Sequence, residues 1–331
     1  MNRVTAAITA VGKYVPDYVL TNKELETMVE TNDEWIVSRT GIKERRILKE
    51  PGKGTSYLAI KSAENLIAKT NLDPKEIEMV ILCTATRDMQ AASTGAYVAS
   101  EIGAVNAFAF DLDAACSSFL YGLSVASGYI ESGRYKKILL IGADKNSSMI
   151  DYTDRATCII FGDGAGAVLM EPTDDGNGLQ DELMRSDGSG REFLNVAAGG
   201  SVMPATEETV ANRKHFAKQD GQNVFKNAVF NMADVCEKIL KKNNLNNEDV
   251  TWLAAHQANK RIVEATARRM KLDASKVMLN IQYYGNTTSA TLPLLLADYE
   301  SQLKKGDNII FAAFGGGYSW GSIYFKWCYN S

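Results

Sequence analysis

Cys116, His256 and Asn286 have side chains that together can run a nucleophilic reaction, and each stands where an apolar run gives way to a turn and then to an amphipathic stretch. Cys116 lies in Ala114-Ala115-Cys116-Ser117-Ser118-Phe119, after a β-like run at 107–112 and before a helix expected from near Ser118. A thiol at a helix N-terminus sits close to unpaired N–H groups and the positive end of the helix dipole, which favour thiolate. His256 closes the short apolar run of Trp252-Leu253-Ala254-Ala255-His256-Gln257-Ala258-Asn259, just before a helix expected at about 260–270. An imidazole there can donate to or accept from a reacting group. Asn286 follows an apolar stretch at 277–281, read as a strand, in Tyr284-Gly285-Asn286-Thr287-Thr288-Ser289-Ala290. A thiol, an imidazole and an amide at three such mouths supply a nucleophile, a proton carrier and a neutral donor. Each also has a plainer use: Cys116 as a small buried apolar residue, His256 as a core imidazole bonded to backbone, Asn286 as part of a helix cap. The other histidine of the chain, His215, falls in a polar stretch and reads as solvated.

The elements that must position these residues repeat. Strand, Cys116 turn, helix at 119–130, strand at 137–142 and the Gly-rich run 159–169 are echoed by strand, Asn286 turn, helix at 290–303, strand at 308–312 and the Gly-rich run 314–325. The stretches 79–84 and 251–255 match in the same way, so Cys116 and Asn286 are expected as counterparts from two halves facing one cleft. The boundary is placed between 1–175, carrying the cysteine, and 176–331, carrying the histidine and asparagine.

Other chemistries lack support. Gly162-Asp163-Gly164-Ala165-Gly166 is followed by the β-like run 167–170, so it lacks the helix N-terminus a dinucleotide pyrophosphate needs and reads as close backbone packing. No Walker loop, His-Glu-x-x-His or Cys-x-x-Cys occurs, so no metal and no cofactor is expected. At 331 residues and 45% apolar the chain can bury a large core, and its net charge of −4 argues against nucleic acid. Five scattered cysteines fit a reducing compartment. With no leader-like segment and no long apolar stretch, a soluble, cytoplasmic protein without membrane insertion is expected. The least regular segment, 187–220, is read as a covering loop over the site.

Several stretches, in order, make the chain resemble the β-ketoacyl-acyl-carrier-protein synthase III family of thiolase-like condensing enzymes. They are Asp33-Glu34-Trp35-Ile36 with Arg39-Thr40-Gly41-Ile42, Ala114-Ala115-Cys116-Ser117, Thr153-Asp154-Arg155, Phe161-Gly162-Asp163-Gly164-Ala165-Gly166, His256-Gln257-Ala258-Asn259, Gly285-Asn286-Thr287 and Phe314-Gly315-Gly316-Gly317. The resemblance implies an α/β fold of layered αβαβα type, with two pseudo-symmetric halves and mixed five-stranded sheets. It implies that Cys116 takes an acyl group from acyl-CoA and that malonyl-acyl carrier protein is decarboxylated to attack the thioester. His256 and Asn286 would hold the enolate oxygen, and the backbone N–H groups of Cys116 and Gly316 the tetrahedral oxyanion. Trp35 and Arg155 would sandwich the CoA adenine, with Arg39 and Thr40 near the nucleotide. Lys260, Arg261, Arg268 and Arg269 would form a basic rim for the acidic carrier protein, although a charged helix face is usually just solvated. A homodimer is implied as well.

The chain departs from the family pattern at Ala91-Ala92, where Phe-Pro is usual and the phenylalanine reaches across the dimer to floor the partner's acyl pocket. With Phe314 at the other side, loss of that ring implies room for primers longer or bulkier than acetyl. Ser118 replaces a usual glycine and Thr288 a usual serine. Two other readings stay open: an acyltransferase that skips condensation, and a non-catalytic partner subunit.

Overall fold

The computed structural model describes residues 3–330. Its first sheet contains β1 (Thr5–Tyr14), β2 (Met79–Cys83), β3 (Phe108–Leu112), β4 (Ile138–Asp144) and β5 (Gly164–Thr173), in the spatial order β1-β5-β4-β2-β3. β2 runs parallel to β3 and β4, and β5 runs antiparallel to β4 and β1. The second sheet contains β6 (Gly178–Ser186), β7 (Trp252–Ala255), β8 (Asn308–Gly315) and β9 (Ser319–Lys326), ordered β7-β8-β9-β6. Only β7 and β8 are parallel there.

Parallel neighbours need crossovers, and the helices supply them. α1 (Asp33–Thr40) stands apart near the site, while α2 (Thr55–Thr70) and α3 (Thr94–Glu101) cover the outer face of the first sheet. α4 (Ser118–Glu131) and α7 (Thr291–Tyr299) lie between the sheets, and α5 (Gly221–Lys242) and α6 (Lys260–Arg269) cover the outer face of the second. The result is the expected five-layer αβαβα stack. β2 shows why its sequence is apolar throughout: Met79, Ile81 and Cys83 face the central core, Val80 and Leu82 the outer one. The central helices are apolar nearly all round for the same reason, with Phe119, Leu123, Leu292 and Leu295 wedged against Ile309, Phe311 and Phe325.

The second sheet has four strands, not five, because 277–281 is not a strand. Val277 makes one parallel bridge with Leu253, and Met278 N–H donates to the Leu253 carbonyl at 3.1 Å. Beyond that, side chains take the donors a strand would give to a ladder. Leu279 N–H goes to the Tyr299 hydroxyl at 3.0 Å, and the N–H groups of Asn280 and Ile281 go to Gln257 Oε1 at 3.2 and 3.3 Å. The segment 187–220 is more ordered than expected: Leu194–Val196 pairs antiparallel with Ala217–Gln219, and Glu207–Ala211 is a short helix.

Gly162 and Gly166 are the close contacts the sequence suggested. A Cβ at Gly162 would lie 2.3 Å from the Tyr284 carbonyl oxygen, and one at Gly166 2.7 Å from Pro293 Cβ. Asp163 is buried between them, accepting from Leu48 N–H and from Ser147.

Candidate active site

Cys116 sits in a 3₁₀ turn, Ala115–Ser117, that feeds α4. Ala115 takes φ of 49°, in the left-handed region that costs an L-residue roughly 1–2 kcal/mol. Ser118 braces that turn: its hydroxyl accepts from Ala114 N–H at 2.7 Å and donates to the Ala115 carbonyl at 2.6 Å. A glycine at 118 has no such group. Ser117 Oγ donates to the Ser319 carbonyl at 2.9 Å and Ser319 Oγ to the Ala114 carbonyl at 2.7 Å, tying the nucleophile turn to the end of the Gly-rich segment. Gly315 completes the join, since a Cβ there would meet Cys116 N at 2.8 Å and Ser117 N at 3.0 Å. Ser319 and Gly315 were not singled out in the sequence; a run of three glycines does not say which one touches the nucleophile.

His256 leaves the end of β7, its N–H bonded to the Ala312 carbonyl at 2.8 Å. It is buried, and neither ring nitrogen has a protein hydrogen-bond partner among the described residues. Burial lowers its pKa to about 3, so the imidazole is neutral across the physiological range. Gln257 beside it is the buried amide that holds 280–281, and Asn259 caps α6 by accepting from Arg261 N–H at 2.9 Å. His215, read as solvated, is half-buried against the Phe216 ring.

Asn286 is fixed at three atoms. Its N–H donates to the Ile160 carbonyl at 2.9 Å, its carbonyl accepts from Gly162 N–H at 3.0 Å, and its Oδ1 accepts from Thr288 N–H at 2.9 Å. With Oδ1 occupied, Nδ2 is the donor turned to the thiol, where it favours the charged form.

The expected thiolate is not the resting state. Burial, with help from Asp144, pushes the Cys116 thiol up to about 12, while its own backbone N–H and the Asn286 amide pull it down only in part. Local helix geometry is outweighed because the sulfur is buried in the assembled fold.

Cys116, His256, Asn286 and Gly316 line one cavity of about 140 Å³, together with Phe225, Asn259 and Phe314. Cys116 also lines a second cavity of about 610 Å³, which shares Phe161, Leu194 and Gly316 with the first and has Met149, Val196, Ala217 and Thr288 in its wall. The segment 187–220 contributes Leu194 to both and so covers the site. The thiol thus lines both a small space that holds His256 and Asn286 and a larger one. Phe314, expected in the acyl pocket, belongs to the small one. Ala91 and Ala92 line neither, because they lie in an exposed turn, with Ala91 at φ of 69°.

Trp35 and Arg155 are together at the surface, the guanidinium 5.1 Å from the ring centroid and bonded to the Glu30 carbonyl. Arg39 is exposed nearby on α1. Thr40 is not available in the same way: it is buried, its hydroxyl donating to the Ile36 carbonyl and accepting from Ile42 N–H, so its side chain closes the helix end. Lys260, Arg261, Arg268 and Arg269 are exposed on α6, with Arg261 over Phe225 and Arg269 over Phe230. Arg269 pairs with Glu237 and Lys260 with Glu264.

Residues 110–188 match the family described as 3-oxoacyl-[acyl-carrier-protein] synthase III, and 240–327 match its C-terminal domain. The chain is 54% identical over 330 residues to beta-ketoacyl-[acyl-carrier-protein] synthase III 2 of Bacteroides thetaiotaomicron, covering 100% of this chain and 98% of that one. It is 52% identical to beta-ketoacyl-[acyl-carrier-protein] synthase III of Porphyromonas gingivalis, with the same coverage. Among solved structures, 3-oxoacyl-[acyl-carrier-protein] synthase III of Aquifex aeolicus superposes with a TM-score of 0.89 at 39% identity, covering 97% of this chain and 100% of that one.

Proposed function

Because the chain belongs to the 3-oxoacyl-[acyl-carrier-protein] synthase III family, we propose that Cys116 carries the acyl group of its decarboxylating condensation, with His256 and Asn286 as the enolate donors. The enzyme is an acyltransferase that joins an acyl-CoA primer to malonyl-acyl carrier protein and so initiates fatty-acid synthesis. The observation that carries the residue assignment is that Cys116, His256, Asn286 and Gly316 line one cavity.

In the first half-reaction Cys116 sulfur attacks the primer thioester and CoA leaves. The proton lost by the thiol ends on the CoA sulfur. The oxyanion forms beside the N–H groups of Cys116 and Gly316, and each such donor is worth about 10²–10³ in rate. In the second, the malonyl thioester loses carbon dioxide, and the resulting enolate oxygen is held by His256 and Asn286. Both donors are neutral, which suits an oxygen that gains charge only in the transition state. The enolate carbon attacks the Cys116 thioester, the C–S bond breaks, and the thiolate recovers a proton from solvent.

The proposal extends to binding. Trp35, Arg155 and Arg39 hold the nucleotide of CoA, and the basic face of α6 meets the carrier protein. Its exposed cations over aromatic rings are suited to an acidic partner. The wide cavity beside Cys116 supports a primer longer or bulkier than acetyl, with Ala91 and Ala92 flooring the pocket of a second copy in a homodimer. The halves 1–175 and 176–331 each contribute one main sheet. No cofactor is called for, and a reducing, cytoplasmic setting agrees with five unpaired thiols among the described residues. Turnover of an acyl-CoA with malonyl-acyl carrier protein tests this reading: 3-oxoacyl product and carbon dioxide should appear in equal amounts, and acyl transfer without carbon dioxide would instead favour the simple acyltransferase.

A further inference from the structure

A buried amide outside both cavities grips the Asn286 turn from two sides. Asn146 lies just past the end of β4 and is fully buried. Its Nδ2 donates to the Gly162 carbonyl at 2.7 Å and reaches the Asn286 carbonyl at 3.4 Å. Its Oδ1 accepts from the Thr288 hydroxyl at 2.8 Å. Thr288 in turn gives its N–H to Asn286 Oδ1 at 2.9 Å. It does so from φ of 51°, a conformation unfavourable for a β-branched residue. Such a backbone persists only when its surroundings determine it, and here the Thr288 hydroxyl on Asn146 acts beside the Ser289 bonds to Asp144.

We propose that Asn146 is a positioning residue for condensation: through the Thr288 hydroxyl it holds Thr288 N–H on Asn286 Oδ1, and so keeps Nδ2 aimed at the enolate. The inference rests on the role given above to Asn286. It accounts for the threonine at 288, whose hydroxyl is bonded to Asn146 although the residue lines the wider cavity. It also predicts a selective defect. Acyl transfer to Cys116 draws its oxyanion donors from the backbone of Cys116 and Gly316, which Asn146 does not touch. It uses the Asn286 amide only as a secondary contact to the thiol, whereas decarboxylation relies on that amide directly.

The test compares Asn146→Ala, Thr288→Val and Thr288→Ser with the parent enzyme. Acylation is read as mass gain on Cys116 from acyl-CoA, and condensation as carbon dioxide release from malonyl-acyl carrier protein. Asn146→Ala and Thr288→Val should lower the ratio of condensation to acylation by about tenfold, the effect of one misplaced hydrogen bond in a buried site. Thr288→Ser, which keeps the hydroxyl, should restore the ratio. Thermal unfolding identifies a variant that has merely lost its fold, and Thr288→Val, close in shape to threonine, then carries the comparison. Equal loss of both half-reactions, or an unchanged ratio in Thr288→Val, overturns the proposal. If the parent enzyme itself takes up acyl groups but releases no carbon dioxide, the condensation reading fails instead.

Discussion

Ser289 is the second-half counterpart of Cys116. Each is the middle residue of a 3₁₀ turn leading into a central helix, and each follows a non-glycine residue in the left-handed region, Ala115 at φ of 49° and Thr288 at 51°. The sequence repeat had paired Cys116 with Asn286, so the counterpart shifts to Ser289. The two turns have diverged in use. Cys116 opens onto two cavities, while the Ser289 hydroxyl lies within hydrogen-bond reach of buried Asp144 and the Cys83 carbonyl, and its N–H donates to Asp144 at 2.9 Å. One turn keeps a reactive atom and the other anchors the fold.

Substituting Gly315→Ala should damage the first half-reaction. The new methyl would press on Cys116 N, the oxyanion donor proposed above, and overpacking of this kind costs typically 1–3 kcal/mol. Urea denaturation should show a loss of that order, and the acylation rate should fall with it. Full acylation at unchanged stability would mean that the two turns are not in rigid contact.

Thiol reactivity reports the resting state of Cys116. With its pKa pushed up by burial to about 12, the thiolate fraction rises about tenfold for each pH unit through the neutral and mildly alkaline range. Alkylation by iodoacetamide, followed on the Cys116 peptide, should climb in that way from pH 7 to 9 without levelling. A plateau near pH 7 would show a preformed thiolate.

His256 should stay neutral at every pH at which the enzyme works. Its pKa is depressed to about 3, below the roughly 6.5 of an unfolded histidine. The stability linked to it is therefore present above pH 6.5 and lost as pH falls below that, at up to about 1.4 kcal/mol per unit. The imidazole resonance that disappears in His256→Gln should not shift between pH 5 and 8, and that variant should lose less stability between pH 6 and 4. A midpoint near 6.5 would rule out the neutral-donor role.

On the proposed role of Arg155 and Trp35, their contact must open for the nucleotide to enter. A flat ring between them needs about 3.5 Å on each side, more than the 5.1 Å present. Arg155→Ala should raise KM for acyl-CoA about three- to thirtyfold, the range of a cation–π contact, with little change in kcat. An unchanged KM would place the adenine elsewhere.

Much of this was legible in the sequence, and each exception has a physical cause. The layered fold was implied by the family resemblance, with apolar runs such as 79–83 marking strands. The three candidate side chains were picked out by their types and the motifs around them, and the structure brings them to one cavity. The run 277–281 misled because its pattern is that of a strand, yet Gln257 and Tyr299, distant in sequence, take its N–H groups. The thiolate expectation used the helix next to Cys116 and missed the burial that only the assembled fold creates. Thr40 sits within a binding motif but at a helix end, where its hydroxyl closes the backbone. For the run 277–281 and for the thiol, residues far along the chain decided the outcome; for Thr40 it was the local helix end, through Ile36 and Ile42.

The central claim is that Cys116 forms an acyl-enzyme which His256 and Asn286 then help to condense. Intact mass after exposure to acyl-CoAs of graded length tests it most directly, with Cys116→Ala, His256→Ala and Asn286→Ala alongside. The parent protein should gain the mass of one acyl group, most strongly with primers longer than acetyl, and Cys116→Ala should gain none. Acylation should be largely retained in the other two variants, with their condensation reduced about 10²–10³-fold. Labelling that survives Cys116→Ala, or acylation lost as completely as condensation in His256→Ala and Asn286→Ala, would contradict it.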